Sequence, residues 1–89
     1  MKAEDVVNAR FTPTKFREGY SQDEVDAFLE RIRSALAADD ATGAGVAGIT
    51  VEDVVESRFT PTKFRDGYSQ DDVDDFLDQV VAELRTRAR

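Results

Sequence analysis

Residues 10–25 read RFTPTKFREGYSQDEV, and residues 58–73 read RFTPTKFRDGYSQDDV. A single offset of 48 residues relates the two stretches throughout. It also relates their flanks: Glu4-Asp5-Val6-Val7 matches Glu52-Asp53-Val54-Val55, and Phe28-Leu29 matches Phe76-Leu77. A fixed internal period sets the architecture, because each copy must be one small structural unit. A unit of about 40 residues is at the lower limit for burying a core alone. The 89 residues include no Cys and no His, so disulfides and thiolate or imidazole metal sites are excluded. Association remains, either between the two copies of one chain or between chains as a homodimer.

Within each copy, Pro13 and Pro61 push the preceding Thr towards extended backbone. Phe and Thr around them suit a strand-like or loop segment. Gly19 and Gly67 then supply a turn with permissive backbone. Ser21 with Glu24 forms the S-x-x-E start of a helix, echoed by Ser69 with Asp72. Tyr20 and Tyr68 stand where a hydrophobic staple onto Val25 and Val73 forms. Upstream, Thr50 with Asp53 caps a short helix; Lys2 replaces that cap in the first copy, so Met1 to Asn8 is expected to fray. Val25, Phe28, Leu29, Ile32 and Leu36 form one apolar stripe. Val73, Phe76, Leu77, Val80, Val81 and Leu84 form the other. Their alternating four and three spacing is that of a coiled-coil-like seam. The Gly-rich run DDATGAGVAG has no periodicity and reads as a linker.

The expected fold is therefore all-α. Each copy is a short helix, an extended Pro-containing loop, a Gly turn and a longer amphipathic helix, packed as a pseudo-dimer or dimer. The expected units are residues 1–38, a linker at 39–48, and residues 49–89. A helix from Ser21 to Ala38 is about 27 Å long. A ten-residue linker reaches at most about 33–36 Å, so a parallel return is stretched and antiparallel packing competes with it.

The net charge of −7 argues against nucleic-acid binding, which needs a basic face. Each copy runs from near-neutral to acidic. No apolar run approaches the roughly 20 residues of a membrane span, and the opening residues lack the apolar core of a signal peptide. The expectation is a cytoplasmic chain whose membrane contact is peripheral. Asp71, Asp72, Asp74, Asp75 and Asp78 lack the Gly and alternation of a calcium loop and read as a solvated helix face. There is no nucleophile elbow, phosphate loop or HExxH. The chain is expected to be non-enzymatic, without metal or cofactor.

The run Phe16-Arg17-Glu18-Gly19-Tyr20-Ser21-Gln22-Asp23-Glu24-Val25-Asp26-Ala27-Phe28-Leu29 resembles the N-terminal motif of the DivIVA family, bacterial cell-division and polar-growth scaffolds. Residues 49–77 resemble it again. The chain departs in two ways: Glu18 or Asp66 separates Phe-Arg from Gly-Tyr, and no long coiled coil follows. It looks more like the short DivIVA-domain repeat proteins than a complete scaffold. The resemblance implies a module that recruits or regulates protein partners, including a larger scaffold of the same family, in cell division. It also implies a parallel pairing with loops crossing at one end. By the same resemblance, Phe16 with Arg17 and Phe64 with Arg65 mark loop tips that dip into the bilayer at the inner face of the cell membrane. Lys15, Arg10, Lys63 and Arg58 would supply further positive charge. The competing reading packs both Phe rings into the core. Glu18, Asp66 and the acidic helices favour that second reading.

Overall fold

A computed structural model describes residues 1–88. Chain order runs α1 (Ala3–Val7), β1 (Pro13–Thr14), β2 (Gly19–Ser21), α2 (Gln22–Thr42), α3 (Val51–Val55), β3 (Pro61–Thr62), β4 (Gly67–Tyr68) and α4 (Gln70–Arg87). The all-α expectation is wrong. Helices dominate, but the extended segments form a four-stranded antiparallel sheet, so the fold is mixed α/β.

Its strand order is β1-β4-β2-β3. Pro13 lies opposite Tyr68, Pro61 opposite Tyr20, and Tyr20 opposite Tyr68. Every ladder therefore joins one copy to the other. Neither copy pairs its own strands, and a strand of the other copy always lies between them. The two prolines sit on the edge strands, where a missing N–H is tolerated and further pairing is blocked. Thr14 and Thr62 turn inward and are buried.

The long helices start as expected. The Ser21 hydroxyl accepts from the Glu24 N–H at 3.4 Å, and Ser69 accepts from Asp72 at 3.3 Å. The other half of each capping box goes elsewhere. Glu24 accepts from the Thr60 backbone N–H at 3.0 Å, and Asp72 from that of Thr12 at 2.8 Å. Each carboxylate thus anchors the other copy's extended segment. Around Thr50 the full box forms, with both bonds to Asp53 at 3.0–3.1 Å. In the first copy α1 also forms, and the Lys2 N–H donates to Asp5 at 2.7 Å.

Tyr20 and Tyr68 mark one end of a pseudo-two-fold axis. Asp39 and Arg87, also equivalent residues, meet at 3.0 Å at the other end. The long helices are therefore parallel. α2 continues to Thr42, four residues into the expected linker, and ends at Gly43 in the left-handed conformation (φ 67°). The return is not stretched, because the linker does not make it alone. Arg31, halfway along α2, donates to the Gly48 carbonyl at 3.1 Å, and α3 with its extended segment completes the way back to the sheet.

Val25, Leu29, Ile32, Leu36, Val73, Leu77, Val80 and Leu84 are all buried, with Val6, Ala35, Ile49 and Val54 completing the core. Phe28 and Phe76 share the stripes but are only partly buried. Each meets an aromatic ring of the other copy edge-on: Phe28 meets Phe59 with centroids 5.7 Å apart, and Phe76 meets Phe11 at 5.8 Å.

Candidate functional site

The loops joining β1 to β2 and β3 to β4 hold Lys15–Glu18 and Lys63–Asp66. Because each loop connects strands that flank a strand of the other copy, the two loops cross. The axis runs along the parallel helices, so both loops project from the same end of a body 43 × 22 × 17 Å in extent.

The crossing dictates the glycines. Neither Gly19 nor Gly67 has a positive φ, so the turn reading of these residues does not explain them. Close approach does. A Cβ on Gly19 would overlap Thr14 Oγ1 and lie 2.7 Å from the Tyr68 carbonyl oxygen. A Cβ on Gly67 would overlap Thr62 Oγ1 and lie 3.0 Å from the Tyr20 carbonyl oxygen. The buried Thr14 and Thr62 hydroxyls have no hydrogen-bond partner among the described residues.

At the tips, Phe16 is 75% exposed and Phe64 is 71% exposed. The preferred sequence reading, which packed both rings into the core, is therefore wrong. Two crossing loops of four residues leave nothing above these rings to bury them. The Lys63 ammonium sits 5.5 Å from the centre of the Phe64 ring. Phe64 also has φ 66°, a left-handed conformation that costs an L-residue about 1–2 kcal/mol.

Six of the eight expected tip residues lie on the two loops between the strands: Lys15, Phe16 and Arg17 on one, Lys63, Phe64 and Arg65 on the other. Arg10 and Arg58 do not join them. Arg10 donates to the Val7 and Ala9 carbonyls at 3.3 and 3.0 Å, closing the end of α1. Arg58 donates to the Ser57 carbonyl at 2.9 Å. The tip arginines are not unopposed. The Asp72 carboxyl is held below its usual range by hydrogen bonding to Thr12 and, more weakly, by Arg17. Glu24 is lowered by hydrogen bonding to Thr60, with a smaller contribution from Arg65.

Behind the tips, two tyrosines lock the copies together. This role was missed in the sequence, where they read as staples. Tyr68 donates to Asp26 at 2.8 Å and Tyr20 to Asp74 at 3.0 Å. Burial, then the hydrogen bond and charge of Asp26, push the Tyr68 phenol up to about 12; Tyr20 is raised for the corresponding reasons. Tyr68 packs against Phe11 and Tyr20 against Phe59, with ring centres 5.2 and 5.3 Å apart. The repetition of Asp26 at Asp74 was the available signal.

No helix among the described residues is long and apolar enough to cross a membrane. No protein-family model matches the chain, and neither the curated proteins nor the solved structures yield a match.

Proposed function

We propose that the chain is a non-enzymatic interaction module that settles on an anionic membrane surface through its two crossed Phe tips. The observation that carries this reading is the exposure of Phe16 and Phe64 on one end of the molecule, each flanked by Lys and Arg. Burying a Phe side chain is worth roughly 1.5–3 kcal/mol, and each nearby cation adds about 1 kcal/mol at an anionic surface. One tip alone binds weakly. Two rigidly crossed tips act together, so the second inserts at high effective concentration. The resemblance to the DivIVA motif supports the same reading, with the inner face of the cell membrane as the proposed surface.

A second reading has an observation of its own. Val7 and Val55, the equivalent last residues of α1 and α3, are each 58% exposed. They offer a protein partner two like contacts, in keeping with recruitment of a larger scaffold of the same family.

Co-sedimentation with phosphatidylserine-containing vesicles tests the first reading. Binding is expected at low salt, weakened as added salt shortens the screening length towards about 8 Å, and lost in the Phe16→Ala, Phe64→Ala double variant. Binding that survives in the double variant, or no binding at low salt, would leave only the partner reading.

A further inference from the structure

The two copies match at the sheet end and differ at the far end of the long helices. At the sheet end the side-chain hydrogen bonds between copies come in equivalent pairs. Tyr68 to Asp26 mirrors Tyr20 to Asp74, and Thr60 to Glu24 mirrors Thr12 to Asp72. A pairing of two first copies, or of two second copies, would make all these bonds equally well. Nothing there tells one copy from the other.

At the far end the equivalence fails. Ala35, Asp39 and Asp40 of the first copy stand opposite Glu83, Arg87 and Ala88 of the second. The Arg87 guanidinium lies 3.0 Å from Asp39 and 2.9 Å from Asp40, and holds Glu83 of its own helix at 2.8 Å. It also donates to the Met1 carbonyl at 2.6 Å. Arg87 and Asp39 are each only 13% exposed, so this cluster is largely sheltered from water. Two first copies would set Asp39 against Asp39, with Asp40 alongside and no guanidinium, leaving only the Met1 ammonium, which here meets Glu83 at 3.0 Å, and Lys2, which acts on Asp40. Two second copies would set Arg87 against Arg87.

We infer that the Asp39–Asp40–Arg87 cluster is a pairing selector: it makes the pairing face of each half a specific site for a half of the opposite type. The partner it fits is therefore the complementary half, in the same chain or in a second copy of it. Apposed like charges at a sheltered site discriminate strongly between pairings. With the short linker holding the halves at an effective concentration on the order of 1 mM, the chain closes on itself.

The test uses two full-length variants. One carries Glu83→Ala, Arg87→Asp and Ala88→Asp, which gives both halves the acidic end. The other carries Ala35→Glu, Asp39→Arg and Asp40→Ala, which gives both halves the basic end. Refolded together, they should form a complex of one chain of each. If each of the two unlike pairs is favoured about tenfold, against a closure concentration on the order of 1 mM, the complex forms at about 10 µM and above. Sedimentation equilibrium of the mixture at about 100 µM, ten times that threshold, should show the two-chain species melting above either variant alone. A mixture containing only the species seen for each variant alone would overturn the proposal. The charge-exchanged single chain, Asp39→Arg with Arg87→Asp, restores one unlike pair and should stay monomeric with a near-wild-type melt. Dimerisation of that chain, or a melt as low as that of the Arg87→Asp single variant, would also overturn it.

Discussion

Replacing Gly19 with Ala tests the crossed-loop geometry. The added Cβ meets Thr14 Oγ1 and stands 2.7 Å from the Tyr68 carbonyl oxygen, which belongs to a strand of the other copy and cannot step aside. Overpacking of this kind costs about 1–3 kcal/mol. The backbone contact argues for the upper half of that range, so about 2 kcal/mol or more. A domain of this size loses about 4–8 °C of Tm per kcal/mol, so a melt followed by circular dichroism should fall by at least about 8–16 °C. Thr14→Ala removes the closest atom and a buried hydroxyl that has no partner, so that of Thr14 only the Cβ, at 3.3 Å, still meets the new methyl. In that background Gly19→Ala should cost measurably less, with a coupling of about 1 kcal/mol between contacting sites. Rescue remains partial because the Tyr68 oxygen is still present. A Gly19→Ala variant that melts at or above wild type would refute the reasoning, since trimming unfolded-state freedom without strain stabilises. So would a penalty unchanged by Thr14→Ala.

Further outcomes follow from the caps and the cross-copy bonds. Lys2→Thr gives α1 the box that Thr50 gives α3 and should stabilise the chain by about 0.5–1 kcal/mol; a lower midpoint in urea would contradict this. The Tyr68 phenol is raised in the folded state to about 12, so its stabilisation is complete below about pH 10 and lost as pH rises from there to about 12. Tyr68→Phe should flatten that alkaline limb in melts taken across the range. Glu24, Asp72 and Glu83 are lowered, first of all by their hydrogen bonds to Thr60, Thr12 and Arg87. Their contribution is present above the ordinary carboxyl range and lost as pH falls through their folded values. Wild-type melts should therefore drop on acidification below about pH 4–5, and Glu24→Gln should shrink that drop.

The helices and their start sites were legible because Ser21 and Ser69 precede stripes long enough to show a period. The sheet was not. Each strand has only two or three residues, too few to display alternation, and each pairs with the other copy, between 41 and 55 residues away. The helix-start motif itself misled in part, since the reach of Glu24 to Thr60 cannot be told from a reach to its own cap by spacing alone. Gly19 and Gly67 read as turn glycines because close approach leaves no trace in a single sequence. The tip residues were found by resemblance, but their exposure depended on the crossing of the loops. Arg10 and Arg58 lie close to the tips in sequence, yet a turn of backbone directs them to the ends of the short helices.

The tips offer the most direct measurement. The chain has no Trp, so Phe16→Trp and Phe64→Trp each place a single reporter at one tip. Neither ring is packed in the core, so both variants should melt with the wild type. On titration with phosphatidylserine-containing vesicles at low salt, the emission of each should shift to the blue as the indole leaves water. A shift at both positions is the predicted result. Emission that stays at the water-exposed wavelength for either Trp, at vesicle concentrations that bind the protein, would contradict insertion through paired tips.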